Sequence, residues 1–163
     1  IFICNLNEKE KLDDNKYINI IKSNLNDDRS IIISISAEIE SQIAQLENEV
    51  EKKEFLDSLD WNSSGLDRII KSSYSKLNLI TYFTAGEKET RAWTIKKNST
   101  APDASAVIHT DFKKGFICAE TTSYEDYIKY GGSKGAKENG KTRQEGKEYL
   151  IKDGDVVHFL FNV

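Results

Sequence analysis

The sequence predicts two fold classes in series: an α/β region built on a parallel sheet with helices, then a small α+β domain of the ubiquitin-like β-grasp kind. Three observations carry this. Ile1–Cys4 and Ile31–Ile35 are short, continuous apolar runs, the pattern of strands buried on both faces. Between them Tyr17, Ile18, Ile21 and Leu25 recur at helical spacing. From Leu79 onward the texture changes to short strands, Gly-containing turns and one short helix.

Each element follows from its residues. Ile1–Cys4 ends in Asn5, and Ile31–Ile35 ends in Ser36-Ala37. The helix expected over Asp14–Leu25 joins them. Strand, helix and strand then form a right-handed crossover, which puts both strand ends on one edge of the sheet. Ligands of open α/β sheets bind at that edge. Asn5–Glu8 and Ser36–Glu38 are therefore expected to be neighbours. Glu38–Leu59 reads as one long helix carrying Ile39, Ile43, Leu46, Val50, Phe55 and Leu59, and Gly65 reads as its break. Leu66–Leu77 reads as a third helix with Ile69, Ile70, Tyr74 and Leu77 on its apolar face. A domain boundary is placed near Asn78, giving domains 1–78 and 79–163.

In the second domain Leu79–Thr84 and Thr90–Lys96 are strands joined by the turn Gly86-Glu87-Lys88. Thr100 is a helix N-cap with Pro102 in the first turn, and that helix runs through Val107-Ile108. Phe116–Thr121 is a strand, and Ser123 to Asp126 forms a capping box. Tyr149–Ile151 and Val156–Phe161 are read as the last strands, joined by Lys152-Asp153-Gly154-Asp155. Trp93 and Phe112 are read as core.

Composition narrows the class. The chain of 163 residues contains no methionine and begins inside an apolar run, which predicts a piece of a longer protein. No stretch approaches the roughly 18 apolar residues that a membrane helix needs. Cys4 and Cys118 lie in apolar runs, which predicts buried thiols in a reducing, cytoplasmic setting. The net charge of −4 is uneven: residues 1–78 carry 10 Lys and Arg against 15 Asp and Glu, whereas residues 79–163 carry 13 against 12. The second half clusters Lys134, Lys137, Lys141 and Arg143 in what reads as a loop. Such a cluster can track phosphates, or it can be a solvated face diluted by Glu138, Glu145 and Glu148.

Residues 135–142, Gly-Ala-Lys-Glu-Asn-Gly-Lys-Thr, match the phosphate-loop pattern GxxxxGK[ST]. A working phosphate loop needs a strand before it and a helix starting at its Lys-Thr. Neither is legible here, so the match is read as a polar connection with a short helical turn. His109 closes the helix that begins at Thr100. It can favour a helix C-terminus or contact RNA or protein, and no nucleophile accompanies it for catalysis.

A family resemblance runs through these segments. Leu77-Asn78-Leu79, Thr81–Gly86, Arg91–Ile95, Ile108–Phe112, Lys114–Ile117, Tyr124-Glu125-Asp126, Asp153–Val156 and Phe161-Asn162-Val163 resemble the TGS domain of the Obg-like ATPases, the YchF-type branch of the translation-factor GTPases. Asn5-Leu6-Asn7-Glu8 resembles that family's base-reading segment, and Ser36–Glu40 its following loop. The resemblance implies the C-terminal part of a P-loop NTPase G domain followed by a TGS domain. It implies a full-length enzyme that binds and hydrolyses ATP (or GTP) and engages ribosomes or ribosomal RNA. Its phosphate loop and Mg²⁺ ligands would lie upstream, so this chain alone is expected to be inactive.

Ordinary GTPases use Asn-Lys-x-Asp at the base. Its Asp accepts from the donor pair of guanine. In the present sequence Glu8 holds the Asp position and Leu6 replaces the Lys. Guanine's donors are then poorly met, whereas an Asn can satisfy N6 and N7 of adenine together. Asn5 is accordingly expected to read N7/N6, Leu6 to contact the base face, Glu8 to discriminate against guanine, and the Ser36-Ala37 backbone to approach the base. On spacing alone, Asn5 could equally be a strand-end turn residue. The competing reading of the whole chain is a stand-alone β-grasp module that binds RNA or protein. A ubiquitin-like modifier fits less well, since no terminal Gly-Gly follows Phe161.

Overall fold

The computed structural model describes residues 1–8, 10, 15–25 and 29–162. Asp14 and Val163, each named in the sequence reading, lie outside the described residues. The chain divides into two compact units, Ile1–Tyr74 and Ser75–Val163.

In the first unit, strand β1 (Phe2–Asn5) pairs in parallel with β2 (Ile32–Ile35), Asn5 opposite Ile35. Helix α1 (Lys16–Asn24) supplies the crossover between them, and Asn15 caps it by accepting from the Tyr17 N–H. Ile18 is the buried residue of α1, whereas Tyr17 faces solvent. The expected two-sided burial is not met on β1: Ile1, Phe2 and Ile3 are 44–51% exposed. The cause is the small sheet. Among the described residues β1 pairs only with β2, so two strands cannot enclose both faces.

The single helix expected over Glu38–Leu59 is two, α2 (Ala37–Gln45) and α3 (Glu49–Ser58). Asn48 divides them. Its side chain accepts from the Glu51 N–H at 2.8 Å and caps α3. The Asn48-to-Glu51 spacing is the acidic-box signal of a helix start, and the apolar periodicity masked it. Helix α4 (Gly65–Lys76) follows. Gly65 is not a break but its first residue. A Cβ there would come within 2.6 Å of Ile35 Cγ2 and 2.7 Å of Glu40 Oε1, so glycine lets α4 start this close to β2 and α2 without either side chain moving. The apolar face expected on α4 is partly solvent-facing, with Ile70 and Leu77 exposed.

The second unit is a five-stranded mixed sheet. β3 (Leu79–Ala85) and β4 (Thr90–Lys96) form the expected hairpin, and α5 (Ala101–Ile108) follows from the Thr100 cap. A one-turn helix, α6 (Thr110–Lys114), leads into β5 (Phe116–Ser123). Then come α7 (Tyr124–Lys129), α8 (Ser133–Glu138), β6 (Arg143–Glu145) and β7 (Asp155–Phe161). The strand order is β4-β3-β7-β5-β6, with β3 and β7 parallel and the other neighbours antiparallel.

Tyr149–Ile151, read as a strand, makes only one bridge, Leu150 to Thr100. The strand is instead Arg143–Glu145, which pairs with Thr121–Ala119. An edge strand needs no apolar alternation, so this polar tripeptide carried no strand signal. The core gathers Ile80, Tyr82, Ile95, Phe116, Ala119, Val157 and Phe159, with Trp93 packed against it. Tyr82 is fully buried and its hydroxyl donates to the Ala104 carbonyl at 2.9 Å, which ties α5 to the sheet.

Candidate functional site

Parallel pairing of β1 and β2 brings their C-terminal ends together. Leu6 N–H donates to the Ile35 carbonyl at 2.8 Å. Asn5 then reaches across: its Oδ1 accepts from the Ala37 N–H at 2.9 Å, linking residues 32 apart in sequence. Ala37 is the first residue of α2, so this bond occupies one of the amide groups left unpaired at a helix start. Ser36 sits in the cap position but its own side chain does not cap. Its hydroxyl is buried and has no partner among the described residues.

Four of the five residues expected around a base thus meet at one sheet edge. Asn5 and Ala37 are exposed, Leu6 is half-buried and Ser36 is buried. Glu8 is exposed and lies beyond them in the turn that Glu10 N–H closes on the Asn7 carbonyl at 3.0 Å. With Oδ1 committed to Ala37, the Asn5 amide keeps its two N–H donors and one lone pair for another group. The same contact also satisfies the bland reading of Asn5 as a strand-end cap.

The supporting contacts come from residues with no assigned role in the sequence reading. The Glu40 carboxylate accepts from Gly65 N–H at 2.6 Å and Leu66 N–H at 3.1 Å, so it caps α4 from α2. Arg68 donates to the Ser34 carbonyl at 2.7 Å. Together they fix the start of α4 against α2 and β2. Glu40 was within the Ser36–Glu40 segment; its role follows from a contact 25 residues away, which local spacing does not encode.

The basic cluster differs from the expectation of a loop. Lys134 and Lys137 lie on α8, and Arg143 lies on β6, with Lys141 between them. Helix α8 ends at Glu138, Gly140 adopts a positive φ of 67°, and a strand follows Thr142. A phosphate loop requires a helix to begin at the Lys-Thr, and here one has already stopped. The cations are unequal. Lys137 pairs with Glu120 at 2.9 Å and Arg143 with Glu145 at 3.0 Å. The Lys137 ammonium, hydrogen-bonded to Glu120, lowers that carboxyl below its ordinary range. Lys134 and Lys141 are exposed and make no ion pair among the described residues.

His109 stands between two helices. It ends α5 and its Nδ1 accepts from the Asp111 N–H at 3.3 Å, capping α6. The side chain therefore caps the start of α6. Phe112 is half-buried and stacks on Phe161 at 3.7 Å between ring centroids, beside the core rather than within it. Among the described residues no three His, Cys, Asp or Glu side chains are grouped to hold a metal. No helix among them is long and apolar enough to cross a membrane. Cys4 and Cys118 are free and half-buried rather than fully enclosed.

Residues 79–162 match a family model described as YchF-GTPase_C, a protein of unknown function (DUF933). The chain is 50% identical over 163 residues to the ribosome-binding ATPase YchF of Haemophilus influenzae, covering all of this chain and 44% of that protein. It is 51% identical to the protein of the same name from Bacillus subtilis, covering all of this chain and 45% of that protein. The solved YchF GTPase of Schizosaccharomyces pombe superposes with a TM-score of 0.82 at 37% identity, covering 98% of this chain and 43% of that one. A GTP-binding protein from Pyrococcus horikoshii shares the fold at a TM-score of 0.55 and 23% identity, covering 81% of this chain and 38% of that one. The chain spans less than half the length of the curated relatives it matches. With a mixed α/β fold like that of a solved YchF GTPase and a matching family model over its second half, this chain belongs to the YchF family.

Proposed function

We propose that this chain is the C-terminal part of a P-loop ATPase that favours ATP over GTP and engages ribosomes through a β-grasp TGS domain. On this reading residues 1–78 close a G domain and residues 79–163 form the TGS domain. The names of the relatives support the enzyme and ribosome classes. The observation that carries the nucleotide reading is the 2.9 Å bond from Ala37 N–H to Asn5 Oδ1, which holds Asn5-Leu6-Asn7-Glu8 against Ser36-Ala37.

The residues present fit a purine. The Ser36 hydroxyl marks a polar position at the site that the described residues leave unsatisfied. The free N–H groups of Asn5 donate to N7, and its remaining lone pair accepts from N6 of adenine. Leu6 covers the base face. Glu8 places a carboxylate on a longer arm than guanine's donor pair requires. When bound, ATP supplies the phosphoryl group, and Mg²⁺ would be held by residues outside this chain. The 163-residue chain is accordingly inactive alone; metal-dependent turnover lost on Lys141→Ala would refute that.

The test is made in the full-length protein. Leu6→Lys with Glu8→Asp restores the guanine contacts and shifts the ATP/GTP preference toward GTP by roughly 1–3 kcal/mol, the scale of a bidentate base contact. Binding titrations with both nucleotides read it, and an unchanged ratio would mean that the base is read elsewhere.

For the ribosome, Lys134 and Lys141 are the cations available for phosphate contacts, with Lys137 and Arg143 recruited from their carboxylates and His109 at a second position. Changing Lys134, Lys137, Lys141 and Arg143 to Glu weakens co-sedimentation with ribosomes and flattens its salt dependence. Equal pelleting of the variant would move the contact face to the sheet or to His109.

A further inference from the structure

Strand β2 is flanked on one side by β1 and has no second partner strand among the described residues. Along its length as far as Ser34, β2 meets α1 and α4 around a cavity of about 340 Å³. The lining is chemically divided. Ile18 of α1 and Ile32 of β2 provide apolar wall. Lys22 of α1, with Arg68, Lys71 and Ser72 of α4, provide three cations and a hydroxyl. Ile18 and Lys22 are four apart, and Arg68, Lys71 and Ser72 are three and four apart, so each set shares one helix face. No carboxylate lines the cavity among the described residues. Three like charges converge there with no counter-charge lining the cavity among the described residues, which raises the local potential for an anion.

One of the cations is held in place. Arg68 donates one Nη2–H to the Ser34 carbonyl, and its guanidinium lies 6.0 Å from the Trp61 ring centroid. The Nε–H of the same fork is buried and meets no acceptor among the described residues. Buried polar groups are normally satisfied, so this guanidinium keeps a donor for an acceptor outside the described residues.

We propose that this cavity binds a small organic phosphate monoester, with its dianionic head on Lys22, Arg68 and Lys71 and its apolar body on Ile18 and Ile32. Three cations overmatch the single charge of a carboxylate. A tetrahedral phosphate also offers acceptors in several directions, which suits donors arriving from two helices. The Ser72 hydroxyl supplies a further donor. The site is separate from the Asn5–Ala37 edge and does not rest on the nucleotide reading.

The experiment is a titration of phenyl phosphate into the full-length protein with saturating ATP present, so that any nucleotide site is filled. The ¹⁵N–¹H signal of Arg68 Nε is followed by NMR. It is expected to shift on binding, with phenyl phosphate binding more tightly than inorganic phosphate or benzoate. Lys22→Gln with Lys71→Gln is expected to weaken binding about tenfold or more, with the backbone amide spectrum of the rest of the protein unchanged. A signal that stays still, or equal affinity in the double variant, would show a solvated basic slot only. Benzoate binding as tightly as phenyl phosphate would overturn the phosphate assignment.

Discussion

The two units of this chain solve the burial problem differently. The second wraps five strands around one helix, and Tyr82, Ala101, Ala104, Ser105 and Ala119 are fully enclosed. Among the described residues the first has two strands and four helices, and its leading strand leaves Phe2 and Ile3 about half exposed. A sheet of five strands can cover both its own centre and a helix, whereas a pair of strands has no centre. The lesson concerns where the functional edges fall. The first unit offers open strand ends and an open basic cavity. The second offers a closed body with charge on its rim.

Each unit carries one of the two tryptophans, Trp61 in the first and Trp93 in the second, so the contrast can be tested unit by unit. The largest effect is expected from Tyr82→Ala. It removes a fully buried ring and the bond to Ala104, and should cost the second unit about 3–5 kcal/mol. Denaturant unfolding read by Trp93, in a Trp61→Phe background, measures it. Ile18→Ala in the first unit is expected to cost nearer to about 2 kcal/mol, the low end for such a deletion, because Ile18 already borders a cavity. Equal costs would break the contrast between a closed and an open core.

A smaller effect comes from two of the close-approach glycines, Gly115 and Gly65. A Cβ on Gly115 would lie 1.9 Å from the Asn162 carbonyl oxygen, a backbone atom that moves only if β7 moves. Gly115→Ala should therefore cost roughly 1–3 kcal/mol. Gly65→Ala meets side chains of Ile35 and Glu40, which can turn, and alanine regains roughly 0.5–1 kcal/mol of helix propensity. Its net cost should be smaller, and thermal unfolding of both variants ranks them. A reversed ranking would show that the Glu40 cap, not backbone closeness, governs the start of α4.

The smallest effect is a pH dependence confined to the second unit. Burial, followed by the hydrogen bond to Asp155, pushes the Tyr149 phenol up to about 12. Burial raises Tyr82 as well. An unfolded tyrosine ionises near 10. Below that value both states keep the proton and stability is level. As pH rises from about 10 toward 12, the unfolded chain ionises first, so the stability of the second unit falls over that window. Tyr149→Phe should flatten part of the decline in a Trp93-monitored titration of unfolding. An equally steep slope in the variant would assign the loss to Tyr82 or to other groups.

Sequence alone determined much of this protein. The apolar runs ending in Asn5 and Ser36 specified the parallel pair and the shared edge, because a right-handed crossover leaves strand ends no other place. The caps at Thr100 and Ser123 were legible because a cap is local chemistry between residues three apart. The phosphate-loop match at 135–142 could be discounted from its flanks, and α8 ending before Lys141 agrees with that. Tertiary structure decided the rest. Arg143–Glu145 became a strand because β5 offered an open edge, not because its residues favour one. Gly65 began a helix because Ile35 and Glu40 crowd it. Lys137 and Arg143 lost part of their availability to Glu120 and Glu145, partners 17 and two residues away. Lys22 joined Arg68 and Lys71 only when α1 and α4 met beside β2. Apart from the Arg143–Glu145 pair, the deciding contact in these cases is made across the fold, where burial and charge pairing outweigh local preference.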